Sequence, residues 1–201
     1  MRNKIVLTAF IVIAAAASVQ VFRAGDHASA PADRAISRGS PAAPVWIVEY
    51  VDLQCAVCRM GSAKIERFME RFPGRVYLQE RLHPLAGHAH GMTAALYARC
   101  AARQGKYWEF TRAVFAQQTV WSDVSDVRPY LRRYASEAGL NPRALEACAG
   151  DPAARRALEE ETKKANSIGV RMTPTYFING RMAAGIAQLE DELTKLAQKA
   201  G

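Results

Sequence analysis

The alternation of apolar and polar positions divides the chain into an apolar N-terminal segment, a polar stretch and a longer region with α and β periodicities. Residues 5–21 are nearly all apolar and follow the basic residues Arg2 and Lys4. A basic start before an apolar run is typical of an export segment. Cleaved signals usually have roughly 7–15 apolar residues and spanning helices about 20, and this run lies between them. We therefore predict a signal peptide or an N-terminal membrane anchor over residues 1–23.

Structure is expected to begin after a flexible linker. Residues 24–44 are rich in Ala, Pro, Ser and Gly and have no apolar period, which predicts a linker. A β-branched and aromatic run at 45–51 predicts a buried strand, 54–71 a helix, and 76–78 the start of a second strand. The candidate inner residues of this helix are Met60, Ile65, Phe68 and Met69. The order β-α-β indicates parallel strands joined by a crossover helix.

A helical block follows and then a return to strand. Apolar spacing near 3.6 predicts helices over 89–104, 107–117, 124–138, 142–149 and 152–168. Residues 175–178 are predicted to form a strand, and Asn179-Gly180 is a strong hairpin signal. An amphipathic helix is expected over 188–199. The predicted fold class is therefore one α/β domain over 45–201, interrupted by an all-helical insertion at about 86–165.

The charge of the chain does not indicate nucleic-acid binding. The formal net charge is +8 and the isoelectric point about 9.6, but basic residues are scattered and often lie beside acidic ones. No basic stripe is interleaved with aromatic residues, so we expect no nucleic-acid partner.

A cysteine pair, Cys55-Ala56-Val57-Cys58, lies where the first strand gives way to the first helix. Residues three apart on a helix share a face, so the two sulfurs can reach bonding distance. Cys55, at the helix start, is close to unpaired N–H groups and the positive end of the helix dipole, which lower a thiol pKa. We expect Cys55 to be the attacking sulfur and the more buried Cys58 to be the resolving thiol.

Two other interpretations of the pair remain open. Half of a zinc site would need two further ligands at close spacing, and the sequence offers only His88 and His90 as an H-x-H. A purely structural disulfide is the other alternative. Because the strand-to-helix setting favours redox chemistry, we expect no metal and no cofactor.

Three motifs in order resemble the DsbA-like branch of the thioredoxin superfamily, which includes DsbA-, DsbG- and BdbD-type proteins. They are GSPAAPVWIVEYVDLQC at 39–55, QGKYWEF at 104–110 and GVRMTPTYFING at 169–180. The resemblance covers roughly residue 39 to the C-terminus. It implies a thioredoxin fold, a central mixed sheet flanked by helices, with an inserted helical subdomain.

The resemblance also implies roles for three residues. Thr173-Pro174 would form a cis peptide facing the cysteines and leave the Thr173 backbone free to pair with an extended client. The alternative is an ordinary trans proline before a strand. Glu49 resembles the buried acid that relays protons to the second cysteine, although an edge-facing strand glutamate remains an equal alternative.

The sequence departs from the family pattern at two places. Ala56 and Val57 stand where Pro or His is often found, and neither donates a hydrogen bond to Cys55, so we expect a less oxidising pair than in strongly oxidising members. Met172 stands where the loop often has Gly, which implies a bulkier rim to the client groove.

A second cysteine pair, Cys100 and Cys148, lies in the predicted insertion. Related proteins can tie these helices together by a disulfide, and export favours a bridge here. The alternative is two separate buried thiols.

These observations predict an exported thiol–disulfide oxidoreductase that acts as a dithiol oxidase on unfolded or partly folded exported proteins. It would be periplasmic or secreted, or held by its N-terminal segment, with a membrane redox partner to reoxidise it. One alternative is a reductase or isomerase passing electrons to a specific client. Another is a tethered binding or chaperone module with a structural cysteine pair.

Overall fold

The computed structural model describes residues 36–198, and in this part of the chain five strands form one sheet. The strands are β1 (Ser37–Arg38), β2 (Val45–Val51), β3 (Val76–Leu82), β4 (Thr175–Ile178) and β5 (Arg181–Ala184). Their order is β1-β3-β2-β4-β5. Strands β2 and β3 are parallel, and the other pairs are antiparallel. The sheet is therefore mixed, with β2 at its centre.

Helices surround this sheet and fill the interval between β3 and β4. They are α1 (Ala56–Arg71), α2 (Gly91–Arg103), α3 (Tyr107–Ala116), α4 (Gln118–Trp121), α5 (Arg128–Glu137), α6 (Pro142–Ala149), α7 (Pro152–Ser167) and α8 (Gly185–Gln198). The side chains of Asn141 and Asp151 cap α6 and α7, each before a proline in the first turn. Both signals are visible in the sequence, and both starts agree with the prediction.

The two faces of the sheet are covered by different helices. Ile47 and Leu78 pack with α1 and α8 on one face, whereas Val48 and Phe177 pack with Ala165 of α7 on the other. A larger apolar cluster fills the helical block and includes both Cys55 and Cys58. The cysteine pair thus lies where the sheet meets the helical insertion, and the predicted fold class is confirmed.

Sequence-based predictions differ from the structure at several places. The helix predicted over 124–138 begins only at Arg128, and the short helix α4 was not predicted. Residues 36–44 were predicted as linker, but Ile36 is buried and Ser37–Arg38 pairs with β3. Their Gly- and Pro-rich composition gives no strand signal, since the pairing depends on the edge that β3 offers. Met60 is 49% exposed. The buried residues of α1 define a face from which Met60 points away, and they are Cys58, Gly61, Ile65 and Phe68.

The predicted export segment, residues 1–23, and the first part of the predicted linker lie outside the described residues. Among residues 36–198, none of the helices is both long enough and apolar enough to cross a membrane.

A disulfide joins Cys100 of α2 to Cys148 at the end of α6. The same two helices are joined beside it by a hydrogen bond of 2.7 Å from the Tyr97 hydroxyl to Glu146. Arg132 of α5 also donates to Glu146, at 2.9 and 3.0 Å. The covalent bond therefore closes a chain segment whose ends already pack together.

Removing this disulfide should lower the free energy of unfolding. The cysteines are 48 positions apart, and a loop of this length corresponds to about 4 kcal/mol in the chain-entropy model, often less in practice. We expect Cys100→Ala/Cys148→Ala to cost about 2–4 kcal/mol in urea unfolding. The comparison is made in a Cys55→Ser/Cys58→Ser background, so that the redox state of the other cysteine pair does not affect the measured stability. An unchanged unfolding midpoint would contradict the prediction.

Candidate active site

Cys55 occupies the N-cap of α1, where the chain leaves the sheet. Its backbone is extended (φ −75°, ψ 117°) and its Sγ accepts a hydrogen bond of 3.4 Å from the backbone N–H of Cys58. The first turn of a helix has N–H groups without intrahelical acceptors, and here the sulfur supplies one. Both cysteines are free thiols, and Cys58 is the more deeply buried of the two.

The two thiols have opposite electrostatic environments. Hydrogen bonding from the Cys58 thiol, against the opposing effect of burial and with help from the N–H groups of Cys58 and Val57, lowers the pKa of Cys55 to about 6. Burial, followed by the neighbouring Cys55, raises the pKa of Cys58 well above its usual value. Since the thiolate is the reactive form, this arrangement makes Cys55 the nucleophile at neutral pH.

The loop before β4 faces the cysteine pair. Thr173-Pro174 is a cis peptide, and the Cys55 thiol donates to the carbonyl oxygen of Thr173 at 3.4 Å. The Thr175 hydroxyl donates to the Met172 carbonyl at 2.8 Å, which fixes the loop from the strand side. Met172 itself is half exposed. The structure therefore brings Thr173 and Cys55 together and leaves Met172 at the rim.

Asp52 organises the turn that carries the cysteines, a role that was not predicted from the sequence. Its backbone N–H donates to the Cys58 sulfur at 3.5 Å. Its buried carboxylate accepts hydrogen bonds from the N–H groups of Gln54 and Leu85 and pairs with His88 Nδ1, at 2.7–2.8 Å. The Asp-x-x-Cys spacing after a strand is a turn signal that could have identified it.

The helical insertion holds this turn through Gln118 of the short helix α4, whose role was also not predicted from the sequence. The Gln118 amide is buried and donates to the carbonyl oxygens of Leu53 and Cys55 at 2.8 and 3.0 Å. In return, the Gln54 amide donates to the Ser122 carbonyl at 2.8 Å. The segment from Leu53 to Cys55 is therefore tied to the insertion by three hydrogen bonds.

The H-x-H motif does not form a metal site in the described part of the chain. His88 binds Asp52, whereas His90 Nε2 bonds the carbonyl of Val124 at 2.7 Å. Among residues 36–198, no three His, Cys, Asp or Glu side chains are grouped so that they could hold a metal ion.

Glu49 lies on the central strand β2 with no exposed surface. Its register partners are Glu80 on β3 and Tyr176 on β4, and the Ser62 hydroxyl donates to its Oε1 at 3.3 Å. Burial, followed by the charge of Glu80, raises its pKa. The charge of Glu49 in turn contributes to the raised pKa of Cys58, so the two groups interact electrostatically.

Comparison with known proteins agrees with this arrangement. Residues 31–198 match the family model described as thioredoxin. Alpha-DsbA1 of Wolbachia pipientis superposes with a TM-score of 0.70 at 25% identity, over 86% of this chain and 94% of that chain. A thioredoxin-like oxidoreductase from Silicibacter pomeroyi gives a TM-score of 0.64 at 26% identity, over 82% and 92%. BdbD of Bacillus subtilis shares the fold, with a TM-score of 0.67 at 18% identity, over 80% and 91%.

Curated relatives that are named Na⁺/H⁺ antiporters match this chain over a limited part of their own length. The Na⁺/H⁺ antiporter NhaA of Herminiimonas arsenicoxydans is 32% identical over 148 residues, which is 74% of this chain and 23% of the antiporter. NhaA 3 of Salinispora tropica is 29% identical over 159 residues, or 79% and 24%. The chain thus spans about a quarter of these relatives. From the family match, the fold and the cysteine geometry, the chain belongs to the thioredoxin family, as a DsbA-like thiol–disulfide oxidoreductase.

Proposed function

We propose that this chain is an exported dithiol oxidase that transfers the Cys55–Cys58 disulfide to cysteine pairs of other exported proteins. The observation that carries the proposal is the contrast between the two thiols. A pKa of about 6 for Cys55 stabilises its thiolate at neutral pH, and a stabilised thiolate favours the reduced form of the pair. A pair whose reduced form is favoured donates its disulfide to others.

The reaction proceeds through a mixed disulfide. A client thiolate attacks the Cys55 sulfur, the Cys55–Cys58 bond breaks, and Cys58 leaves as a thiolate that takes up a proton. A second client thiolate then attacks the client sulfur bound to Cys55, and Cys55 leaves as a thiolate. The client loses two electrons and the cysteine pair gains them. Since low-pKa thiols leave faster, the environment of Cys55 favours this second step.

The exposed surroundings of Cys55 suit an extended client segment. Thr173 contacts the Cys55 sulfur through its carbonyl, and a client strand beside this loop would be recognised mainly through its backbone. Val57, Met60 and Met172 are exposed apolar side chains on α1 and the cis-proline loop. Backbone recognition with an apolar border fits unfolded or partly folded proteins as clients.

Glu49 is proposed to supply the proton that Cys58 takes up. The carboxyl group is fully buried, and its raised pKa keeps it protonated at a pH where an exposed glutamate is ionised. It also interacts electrostatically with Cys58. A protonated acid in this position can act as a general acid toward a leaving thiolate.

Export rests on the basic and apolar N-terminal sequence, and the disulfide of the insertion supports it. A disulfide between Cys100 and Cys148 persists in oxidising compartments and is rare in the cytosol. The reaction also needs a membrane redox partner that returns Cys55 and Cys58 to the disulfide form.

A reductase or isomerase is the second candidate, and the residues between the cysteines favour it. Ala56 and Val57 add no charge and no side-chain donor near Cys55. The resulting pKa of about 6 is nearer to the roughly 7 of thioredoxin than to the roughly 3.5 of DsbA. Both candidates use the same chemistry and differ in the direction of electron flow.

Titration of the reduced protein should show one thiolate forming near pH 6, because hydrogen bonds stabilise the Cys55 thiolate. Ultraviolet absorbance of the thiolate measures this transition. Cys55→Ser should abolish it, and Cys58→Ala should move it to higher pH because the largest stabilising contact, the hydrogen bond from the Cys58 side chain, is lost. Since the pKa is lowered by folding, the stability gained from this thiolate is present above its unfolded pKa and lost as pH falls through about 6. A wild-type midpoint near that of an unperturbed cysteine would contradict the assignment.

The reduction potential of the Cys55–Cys58 pair should lie between those of the strongest oxidants and thioredoxin, roughly −120 and −270 mV. Equilibration with glutathione buffers of known ratio measures it, with Cys58→Ser as a control that forms no intramolecular disulfide. A potential in the less negative half of this range supports the oxidase, and a potential at or below about −270 mV supports the reductase. Absence of a reversible couple would indicate a structural cysteine pair and a binding or chaperone role.

Export is tested with a reporter enzyme that folds only outside the cytoplasm. Fused after residue 44 of this chain, the reporter should be active, because residues 1–23 direct export. Ile11→Asp/Ile13→Asp places two charges in the apolar run and should abolish reporter activity, whereas Ser37→Asp is the matched control and should not. An inactive wild-type fusion would contradict export. The mass of the exported fusion distinguishes a cleaved signal from a retained anchor.

A further inference from the structure

Two buried carboxyl groups lie side by side in the centre of the sheet. Glu49 and Glu80 are register partners on the parallel strands β2 and β3, and both are buried. Register partners point to the same face, so the two groups share one site. Two carboxylates cannot both ionise easily in such a site, and burial raises the pKa of each.

The hydrogen bonds of the pair are asymmetric. Glu80 Oε2 accepts a bond of 2.6 Å from the buried Tyr107 hydroxyl, whereas the bond that Glu49 accepts from Ser62 is longer, at 3.3 Å. Glu49 Oε2 and the Tyr176 hydroxyl are buried and have no hydrogen-bond partner among the described residues. Gly61 makes room for this hydroxyl, since a Cβ there would lie 2.0 Å from it. Glu49 Oε2 is therefore the oxygen of the pair that is free to carry a proton.

A cavity connects Glu80 with the protein surface. It has a volume of about 250 Å³, and its lining includes buried Glu80, half-buried Ser62 and the exposed Arg112. A water molecule needs only roughly 10–15 Å³ of such space, so the cavity can hold several. This space, which water can fill, is therefore bordered by Glu80 and also by Ser62, the residue that donates to Glu49.

We infer that Glu49 and Glu80 act as one proton-sharing pair, in which Glu80 exchanges protons with water in the cavity and passes them to Glu49. This rests on the proposed role of Glu49 but not on the direction of electron flow. When the Cys55–Cys58 bond is reduced, Cys58 leaves as a thiolate and takes the Glu49 proton. The pair then holds no proton, so Glu80 takes one up from cavity water and passes it to Glu49. In reoxidation the proton moves outward along the same route.

Several other charged or titratable groups face the pair and its cavity. They are Arg38 of β1, Arg59 and Glu66 of α1, Tyr107 and Arg112 of α3, Tyr176 of β4, and Cys58. The positive charge of Arg38 acts on both acids, but Arg38 also binds Glu66 at 3.2 Å and stacks on Trp108 at 4.7 Å. Its charge is therefore shared, and Glu80 has no exclusive cationic partner.

The test is the rate at which dithiothreitol reduces the oxidised full chain, as a function of pH. Without the charge of Glu80, Glu49 loses its proton at lower pH and has less to donate at neutral pH. We expect Glu80→Gln to react about tenfold more slowly than wild type near pH 7, within the range of general acid catalysis. The ratio of the two rates should return toward one at lower pH, where Glu49 is protonated in both. Glu70→Gln, an exposed site on α1, is the matched control and should give a ratio of one throughout.

A double-mutant comparison separates proton transfer from a structural effect. Glu49→Gln should slow the reaction without unfolding the domain, and adding Glu80→Gln to it should cause no further loss, because Glu80 acts through Glu49. If Glu80→Gln fails to fold, Tyr107→Phe keeps both carboxyls. Its missing hydrogen bond leaves the shared proton on Glu80, so the change in rate should have the same direction and be smaller.

The cavity is tested by Ala63→Leu, which fills part of its lining and removes no polar group. It should slow reduction severalfold at every pH, and an unchanged rate would overturn the cavity as the proton route. A pH-independent ratio for Glu80→Gln, or an equal loss in the Glu49→Gln background, would overturn the shared pair. A wild-type chain that does not react with dithiothreitol would overturn the proposed function itself, so the two failures are distinguishable.

Discussion

The hydrogen bonding of the Cys55 sulfur at the start of α1 is the interaction on which the rest of the site depends. A helix N-terminus presents N–H groups without acceptors, and a thiolate satisfies them better than a thiol does. This preference operates only if the strand-to-helix turn holds the sulfur in place. Asp52 and Gln118 hold this turn by hydrogen bonds to the backbone of Leu53, Gln54 and Cys55. The helical insertion is thus part of the active site, although it carries neither reactive cysteine.

The second constraint is the burial of Cys58 together with acidic groups. A thiolate at Cys58 would be costly, since burial and the neighbouring Cys55 both raise its pKa. Each turnover nevertheless requires the sulfur to leave as an anion and gain a proton. A buried acid that remains protonated resolves this conflict, and Glu49 lies in such an environment because burial, followed by the charge of Glu80, raises its pKa. The same burial that makes Cys58 a poor nucleophile therefore creates the need for a proton donor.

The sequence predicted those parts of the structure that depend on local patterns. Strand β2, helix α6 and the cysteine pair each have a signature within a few residues, and their positions agree with the prediction. The cis peptide at Thr173 could be anticipated only through family resemblance. Gln118 and Glu80 were missed because their roles depend on partners distant in the chain: Gln118 donates to Leu53, 65 positions away, and Glu80 faces Glu49 only after β2 and β3 pair. The strand at Ser37 was missed for the same reason.

The short sequence between the cysteines indicates what sets the redox properties of this chain. In Cys55-Ala56-Val57-Cys58 the intervening side chains contribute no hydrogen bond, yet the pKa of Cys55 is lowered to about 6. The stabilisation comes from the Cys58 thiol, from backbone N–H groups and from the Thr173 side chain, all of which are positioned by the scaffold. The contacts that fix the turn, through Asp52 and Gln118, therefore influence the pKa of Cys55 in the way that the side chains between the cysteines do in other CxxC pairs. Because those contacts come from the sheet end and from the insertion, the redox balance of the pair is a property of how the two parts of the domain pack together.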